Sequence, residues 1–338
     1  MAKRPASKLD LESDAPGLSQ PDVVRMLRCM LLARALDDRM LALVRQGRAR
    51  FAVSSAGHEG ISAGYAMALR PGHDFQHGHY RDLAGLLVLG FTARDVLAYY
   101  LSKSEDPVGA GRMPYGHWSL ASKRIGSMSG IQPIHLTHAV GIAYAATLQG
   151  EDVVVWAGNG DGGASRGEWH EALNFASVHK CPVVFCVENN QYCISVPLSK
   201  QTANPNIVDR AKGYGMPGLQ VDGMDPLAVY RAAHECVERA RAGGGPSLIE
   251  AKNYRLLPNT SNDYDEKYRS REEVAEWRKR DPVPNFRQRL LDGGVISPAE
   301  LAEVEASIKE EVNDATRWAL ELPYPDPAGI FEHCYVNV

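Results

Sequence analysis

The residues best placed to do chemistry are Gly160-Asp161-Gly162 and, further along the chain, Asn189-Asn190. The first group ends the run Val153-Val154-Val155-Trp156-Ala157-Gly158-Asn159, where an apolar, β-branched stretch feeds a glycine turn. The second follows another apolar stretch, Pro182 to Val187, which delivers Glu188-Asn189-Asn190-Gln191-Tyr192. As neighbouring strands, the two stretches would carry Asp161 and Asn190 at their tips. One is a carboxylate and the other an amide, and both offer hard oxygen ligands. Such a pair suits a magnesium ion that keeps a substrate or cofactor phosphate as a further ligand. The glycines let the backbone approach a diphosphate, and a helix N-terminus beyond the turn favours negative charge.

The same turn admits two other readings. Gly158-x-Gly160-x-x-Gly163 after a strand is also the dinucleotide fingerprint, with Glu188 where a ribose-binding acid would stand. A nicotinamide site needs neither an aspartate inside the turn nor an asparagine pair after the acid, so metal–diphosphate binding is favoured. The bland reading is a tight turn with a solvent-facing Asp161 and turn-forming asparagines.

The elements that must position these residues alternate. Ser19-Gln20-Pro21-Asp22 reads as an N-cap opening a helix to about Arg45, with Met26, Leu27, Met30, Leu31, Ala35, Met40 and Val44 on its apolar stripe. Further helices are expected over Gly60–Leu69, Thr92–Lys103, Pro133–Leu148 and Gly167–Val178, and strands over Val153–Trp156 and Val183–Val187. A strand at Leu219–Asp222, a helix at Asp225–Ala242 and a strand at Ser247–Tyr254 follow. The helix after Pro133 carries Ala139, Gly141, Ala143, Ala145 and Ala146, a small-residue face open to close contact with a partner. Residues 103–124 read as a long functional or mobile loop. The alternation predicts an α/β chain with a parallel sheet and helices on both faces. Residues 1–18 read as a disordered tail and 19–338 as a single domain with a charged, helical region from about 270.

Composition narrows the classes of function. The 338 residues carry a net charge of −4, with 44% hydrophobic and 23% charged residues, so a nucleic-acid footprint is not expected. No apolar stretch reaches a membrane span and the polar start shows no secretory segment, so a cytoplasmic protein is expected. The six cysteines show no paired metal spacing.

The run Gly160-Asp161-Gly162-Gly163-Ala164-Ser165-Arg166-Gly167-Glu168 through Asn189-Asn190-Gln191-Tyr192-Cys193-Ile194-Ser195 resembles the thiamine diphosphate motif. Ala56-Gly57-His58-Glu59-Gly60, Tyr80-Arg81-Asp82, Gly111-Arg112-Met113-Pro114, Tyr254-Arg255 and Tyr268-Arg269-Ser270-Arg271-Glu272-Glu273-Val274 extend the resemblance to about residues 20–333. Together they resemble the α subunit of the two-chain 2-oxoacid dehydrogenase first component, the decarboxylating component of the pyruvate and branched-chain complexes. The resemblance implies a thiamine diphosphate-binding fold with helical N- and C-terminal extensions, and thiamine diphosphate and Mg2+ as cofactors. It implies Asp161, Asn190 and the carbonyl of Tyr192 as metal ligands. Tyr80, Arg81 and Arg255 are expected on the diphosphate, with Gly160, Gly162, Gly163 and Ile194 also at the cofactor. Gly130, Ile131 and Gln132 are expected at the aminopyrimidine and reacting centre, and Phe51 at the substrate. Implied partners are a β subunit in an α2β2 heterotetramer, which supplies the activating carboxylate, a lipoyl-bearing acyltransferase core and a small 2-oxoacid. Branched-chain acids lead, with pyruvate and acetoin as alternatives.

One departure stands out. Where the family has a loop histidine, this chain has Asn259, followed by Thr260. Asparagine does not exchange a proton near neutral pH. Acyl transfer is therefore in question, and an acylation-impaired, cofactor-binding subunit is the alternative. His79 and His135, with His77, are the candidates to fill the role. The family's potassium-site residues before Pro133 do not match, and potassium is not expected.

Overall fold

The computed structural model describes residues 9–332. In chain order the elements are α1 (Leu11–Asp14), α2 (Gln20–Arg45), α3 (Glu59–Ala66), β1 (Phe75–His77), α4 (Leu83–Val88), α5 (Ala93–Tyr100) and α6 (His135–Gln149). There follow β2 (Val155–Gly160), α7 (Gly167–Val178), β3 (Val183–Asn189), the short strands β4 (Tyr192–Cys193) and β5 (Val196–Pro197), and α8 (Leu198–Gln201). The chain then forms β6 (Gly218–Asp222), α9 (Pro226–Arg239), β7 (Ser247–Lys252), α10 (Arg271–Arg278), α11 (Pro282–Asp292) and α12 (Pro298–Glu321).

The central sheet has the order β1-β2-β3-β7-β6, and every pairing is parallel. Its inner strands are apolar because both faces are covered. Alternate side chains feed two cores. Val154, Trp156, Val184, Cys186 and Ile249 enter the larger one, shared with α2–α5, α9 and α12. Val155, Ala157, Val183, Phe185, Val187 and Leu248 enter the other, under α6 and α7. This is the expected α/β class with helices on both faces.

Capping fixes the helix that begins the larger core. Ser19 and Asp22 close a reciprocal capping box at the start of α2, worth about 1 kcal/mol. The Ala56–Gly60 segment is a junction. Gly57 has φ of 93°, a left-handed backbone, and any Cβ there would strike the Tyr254 carbonyl. Glu59 is fully buried, bonds the Gly57 N–H at 2.8 Å and meets Arg34 at 2.6 Å. Arg34 also forks onto Asp281 at 2.9 and 3.0 Å, tying α2 and α3 to the start of α11.

Two expectations need correction. Residues 9–18 are not a disordered tail: they include α1, Ala15 is fully buried and Tyr230 donates to the Pro16 carbonyl, while residues 1–8 lie outside the described residues. The small-residue face of α6 is divided, with Ala139, Ala143 and Ala146 spent on the chain's own core and Gly141 and Ala145 exposed. A strand was also missed. β1 is Phe75-Gln76-His77, where the buried polar Gln76 and His77 break any apolar run; Gln76 is held by the Tyr65 hydroxyl.

Candidate active site

Parallel strands leave their carboxyl ends free to hold ligands, and here a cavity of about 410 Å3 opens beyond the ends of β2 and β3. Gly160 pairs with Glu188 in the β2–β3 register, so Asp161, the first residue after β2, and Asn190, the first after β3, emerge within one residue of each other at the strand ends. Both line the cavity, and both are buried. A solvent-facing turn is thereby excluded. Tyr192 completes the corner at the start of the β4–β5 ribbon.

Burial pushes the Asp161 carboxyl up to about 6, against the pull of a 2.8 Å hydrogen bond from the Gln201 side chain. Deprotonated, it is a desolvated anion facing a cavity. Asn190 and Tyr192 line the same cavity and carry an amide and a backbone carbonyl. A carboxylate, an amide and a carbonyl form a hard, all-oxygen donor set, which fits Mg2+ and not a thiolate-seeking metal. Gly162 cannot be enlarged, since a Cβ there would run into the Cys193 sulfur. The glycine turn therefore lies hard against the ribbon, and Gly160 and Gly163 complete the wall.

Asn259 also lines the cavity, and behind it lies an unusual pair of cations. Its Oδ1 accepts from Arg81 Nη2 at 2.9 Å and from Arg255 Nη1 at 3.0 Å. Both arginines are 1% exposed, and the remaining contacts of their guanidiniums go to neutral groups. Arg81 donates to the Ser54 and Asn259 carbonyls and to the Tyr80 hydroxyl, and Arg255 donates to the Ile194 carbonyl and the Tyr268 hydroxyl. Neither forms an ion pair with a carboxylate among the described residues, and both Nε atoms lack a partner. Burial first, then Arg81, holds the Arg255 pKa below its usual value. Asp161 and Asp263 act on Arg255 and Glu188 on Arg81 only from beyond ion-pair contact. Two buried, mutually repelling guanidiniums are thus left without a directly paired carboxylate and would be favoured by an arriving anion. An anion such as a phosphate in the cavity lined by Tyr80 and Asn259 would meet that requirement.

The remaining expected residues divide. Tyr80, Gly130, Gln132, Ile194 and Phe51 line the cavity, and the Gln132 Oε1 is buried without a partner. Arg81 and Arg255 stand one layer back, reaching the cavity through Asn259. His79 is in the wall, but burial lowers its pKa to about 3, so it stays neutral. His135 is not at the cavity: fully buried, it donates from Nε2 to the Gly158 carbonyl at 2.7 Å. Its expected catalytic role is corrected on that ground. His77 is likewise buried away from the site.

Sequence reasoning missed Tyr115, Gly116 and His117, which close the cavity from the 103–124 loop. His117 is held in one tautomer, with Nδ1 donating to the Pro114 carbonyl and Nε2 accepting the Gly130 N–H, both at 2.9 Å. The signals were their place in the long 103–124 loop and directly after Gly111-Arg112-Met113-Pro114.

A parallel sheet with a cavity past its strand ends, where polar and charged groups converge on a partly apolar wall, defines a ligand-binding α/β protein. More specifically, the chain belongs to the dehydrogenase E1 component family, whose model matches residues 27–328. It is 43% identical over 327 residues to the 2-oxoisovalerate dehydrogenase subunit alpha of Bacillus subtilis, covering 96% of this chain and 98% of that one. It is 39% identical over 313 residues to the 3-methyl-2-oxobutanoate dehydrogenase subunit alpha of Mycobacterium tuberculosis, covering 91% and 81%. It is 36% identical over 328 residues to a pyruvate dehydrogenase E1 component subunit alpha of Staphylococcus aureus, covering 93% and 85%.

Proposed function

We propose that this chain is the α subunit of a branched-chain 2-oxoacid dehydrogenase decarboxylating component and holds thiamine diphosphate and Mg2+ in the cavity described above. The observation that carries the reading is the buried Arg81–Arg255 pair, with no directly paired carboxylate, joined by Asn259 to a cavity that Asp161, Asn190 and Tyr192 also line. An anion and a hard cation are both called for at one place, which is the chemistry of a magnesium diphosphate. When bound, thiamine diphosphate supplies a nucleophilic carbon and an electron sink for decarboxylation.

The protein's own residues bind, orient and exclude water. Asp161, Asn190 and the Tyr192 carbonyl would hold the metal. Tyr80, Arg81 and Arg255 would hold the phosphates, and Gly130 and Gln132 would border the reacting end. Phe51, Val53 and Ile131 give that cavity an apolar wall, which suits an aliphatic acyl chain over the single methyl of pyruvate. The higher identity to the branched-chain relatives supports the same preference, with pyruvate and acetoin as runners-up.

The α designation of these relatives supports a β partner. We infer an α2β2 assembly that feeds a lipoyl-bearing acyltransferase. No helix of the described residues is long and apolar enough to cross a membrane, and a cytoplasmic location is part of the proposal. The alternative, impaired acylation, rests on Asn259, which offers both arginines an acceptor and exchanges no proton. The test is co-expression with the β subunit, followed by decarboxylation and lipoyl-acylation assays on 3-methyl-2-oxobutanoate and pyruvate. Branched-chain turnover well above pyruvate, with none by the chain alone, is expected. Equal or greater use of pyruvate would overturn the substrate assignment, and decarboxylation without acylation would establish the alternative.

A further inference from the structure

Behind Asn190 lies a buried polar chain that the motif reading did not use. Glu188 and His58 are fully buried, and the His58 Nδ1 stands 2.6 Å from the Glu188 Oε2. The other ring nitrogen, Nε2, stands 3.3 Å from the Asn190 Nδ2. Glu188 also lies near Asp82, another fully buried carboxyl whose pKa its charge helps to raise. Asp82 in turn accepts from the Tyr65 hydroxyl at 2.8 Å and from the His79 N–H at 2.7 Å.

The polarity of this chain follows from a single backbone group. The Tyr192 N–H donates to the Asn190 Oδ1 at 3.1 Å, which assigns the oxygen to that side of the amide and the NH2 to the other. The NH2 faces the His58 Nε2, and an amide nitrogen only donates, so Nε2 is the acceptor. The ring proton is then on Nδ1, where it is given to Glu188. His58, His79 and Glu188 cluster closely enough to suggest a metal site of their own. The direct His58–Glu188 hydrogen bond leaves no place for an ion between them.

We propose that His58, anchored by Glu188, is a positioning residue that fixes the Asn190 amide with Oδ1 presented to a hard divalent cation. The proposal rests on the reading of Asn190 as a metal ligand. A free amide samples two orientations, one of which turns a non-ligating NH2 toward the cation. The Tyr192 N–H on one side and the His58 Nε2 on the other together hold it, and losing His58 would leave the Tyr192 N–H to do so alone. Partners that orient a metal ligand in this way are commonly worth about 10- to 100-fold in metal affinity.

The test is calorimetric titration of Mg2+, with saturating thiamine diphosphate, into the metal-free chain assembled with its partner subunit. His58→Leu removes both donor and acceptor and should weaken Mg2+ about 10- to 100-fold. His58→Gln keeps one of each and should stay within about threefold of wild type. Asp161→Ala, run alongside, should abolish metal-dependent binding. Normal affinity in His58→Leu with loss in Asp161→Ala overturns the positioning role and leaves the site intact. Normal affinity in Asp161→Ala overturns the site reading itself. Equal losses in His58→Gln and His58→Leu would mean that the ring acts by packing, which also overturns the proposal. Should His58→Leu not fold, nitrogen-15 spectra of labelled histidine in the wild-type assembly decide. The His58 proton is expected on Nδ1, and a proton on Nε2 would refute the chain of polarity.

Discussion

Replacing Asn259 with alanine would expose the cation pair behind it. The side chain accepts one charged hydrogen bond from each of Arg81 and Arg255, at 2.9 and 3.0 Å. Bonds to charged groups contribute about 1.5–3 kcal/mol each, which sets an upper loss of roughly 3–6 kcal/mol. Arg81 keeps the backbone carbonyl of residue 259 as an acceptor, also at 2.9 Å, so the larger part of the loss falls on Arg255. A net destabilisation of about 2–4 kcal/mol is expected, and at about 2 °C per kcal/mol for a large domain the ligand-free Tm should fall by roughly 4–8 °C. A phosphate ligand should then restore more stability to the variant than to wild type. In the variant it meets unshared guanidiniums, whereas in wild type it competes with Asn259. The assay is thermal unfolding with and without inorganic pyrophosphate and Mg2+. A gap between variant and wild type that narrows on adding pyrophosphate supports the account. A gap that is unchanged, or a ligand-free Tm equal to wild type, would refute the argument that these arginines await an anion.

Two further outcomes follow from buried charges elsewhere. Arg34→Met strands Glu59 and Asp281 without their shared cation and should cost about 3–5 kcal/mol, read by urea denaturation. His77 is 3% exposed, and burial, with His135 and His138 adding to it, lowers its pKa to about 4, so below pH 6.5 the unfolded chain takes up a proton that the folded chain refuses. Its contribution is present above pH 6.5 and lost as pH falls toward 4. Wild type should therefore lose roughly 3 kcal/mol relative to His77→Asn across that window, and parallel pH profiles of the two would contradict it.

Much of this was legible because apolar periodicity and capping are local. The Ser19–Asp22 box, the Gly167–Val178 helix and the paired apolar strands that carry Asp161 and Asn190 each announce themselves within a few residues. What escaped was built from long-range polar pairing. β1 is hidden because Gln76 donates to the Tyr65 hydroxyl at 2.7 Å instead of joining an apolar run. His58 stands only within the Ala56–Gly60 motif match until β3 brings Glu188 beside it. His135 looked available for catalysis because nothing local shows that it points at the Gly158 carbonyl. Asn259 was placed by resemblance, but its link to two arginines depends on segments distant in sequence.

The central claim is that one cavity holds the metal on the oxygens of Asp161, Asn190 and Tyr192. The most direct test is a crystal structure of the assembled enzyme with thiamine diphosphate and Mn2+ in place of Mg2+, read by anomalous scattering. The account predicts a single strong peak bonded to the Asp161 carboxylate, the Asn190 Oδ1 and the Tyr192 carbonyl, with diphosphate oxygens completing the shell. A peak at His58, His79 and Glu188, or a diphosphate bound away from Asp161, would contradict it.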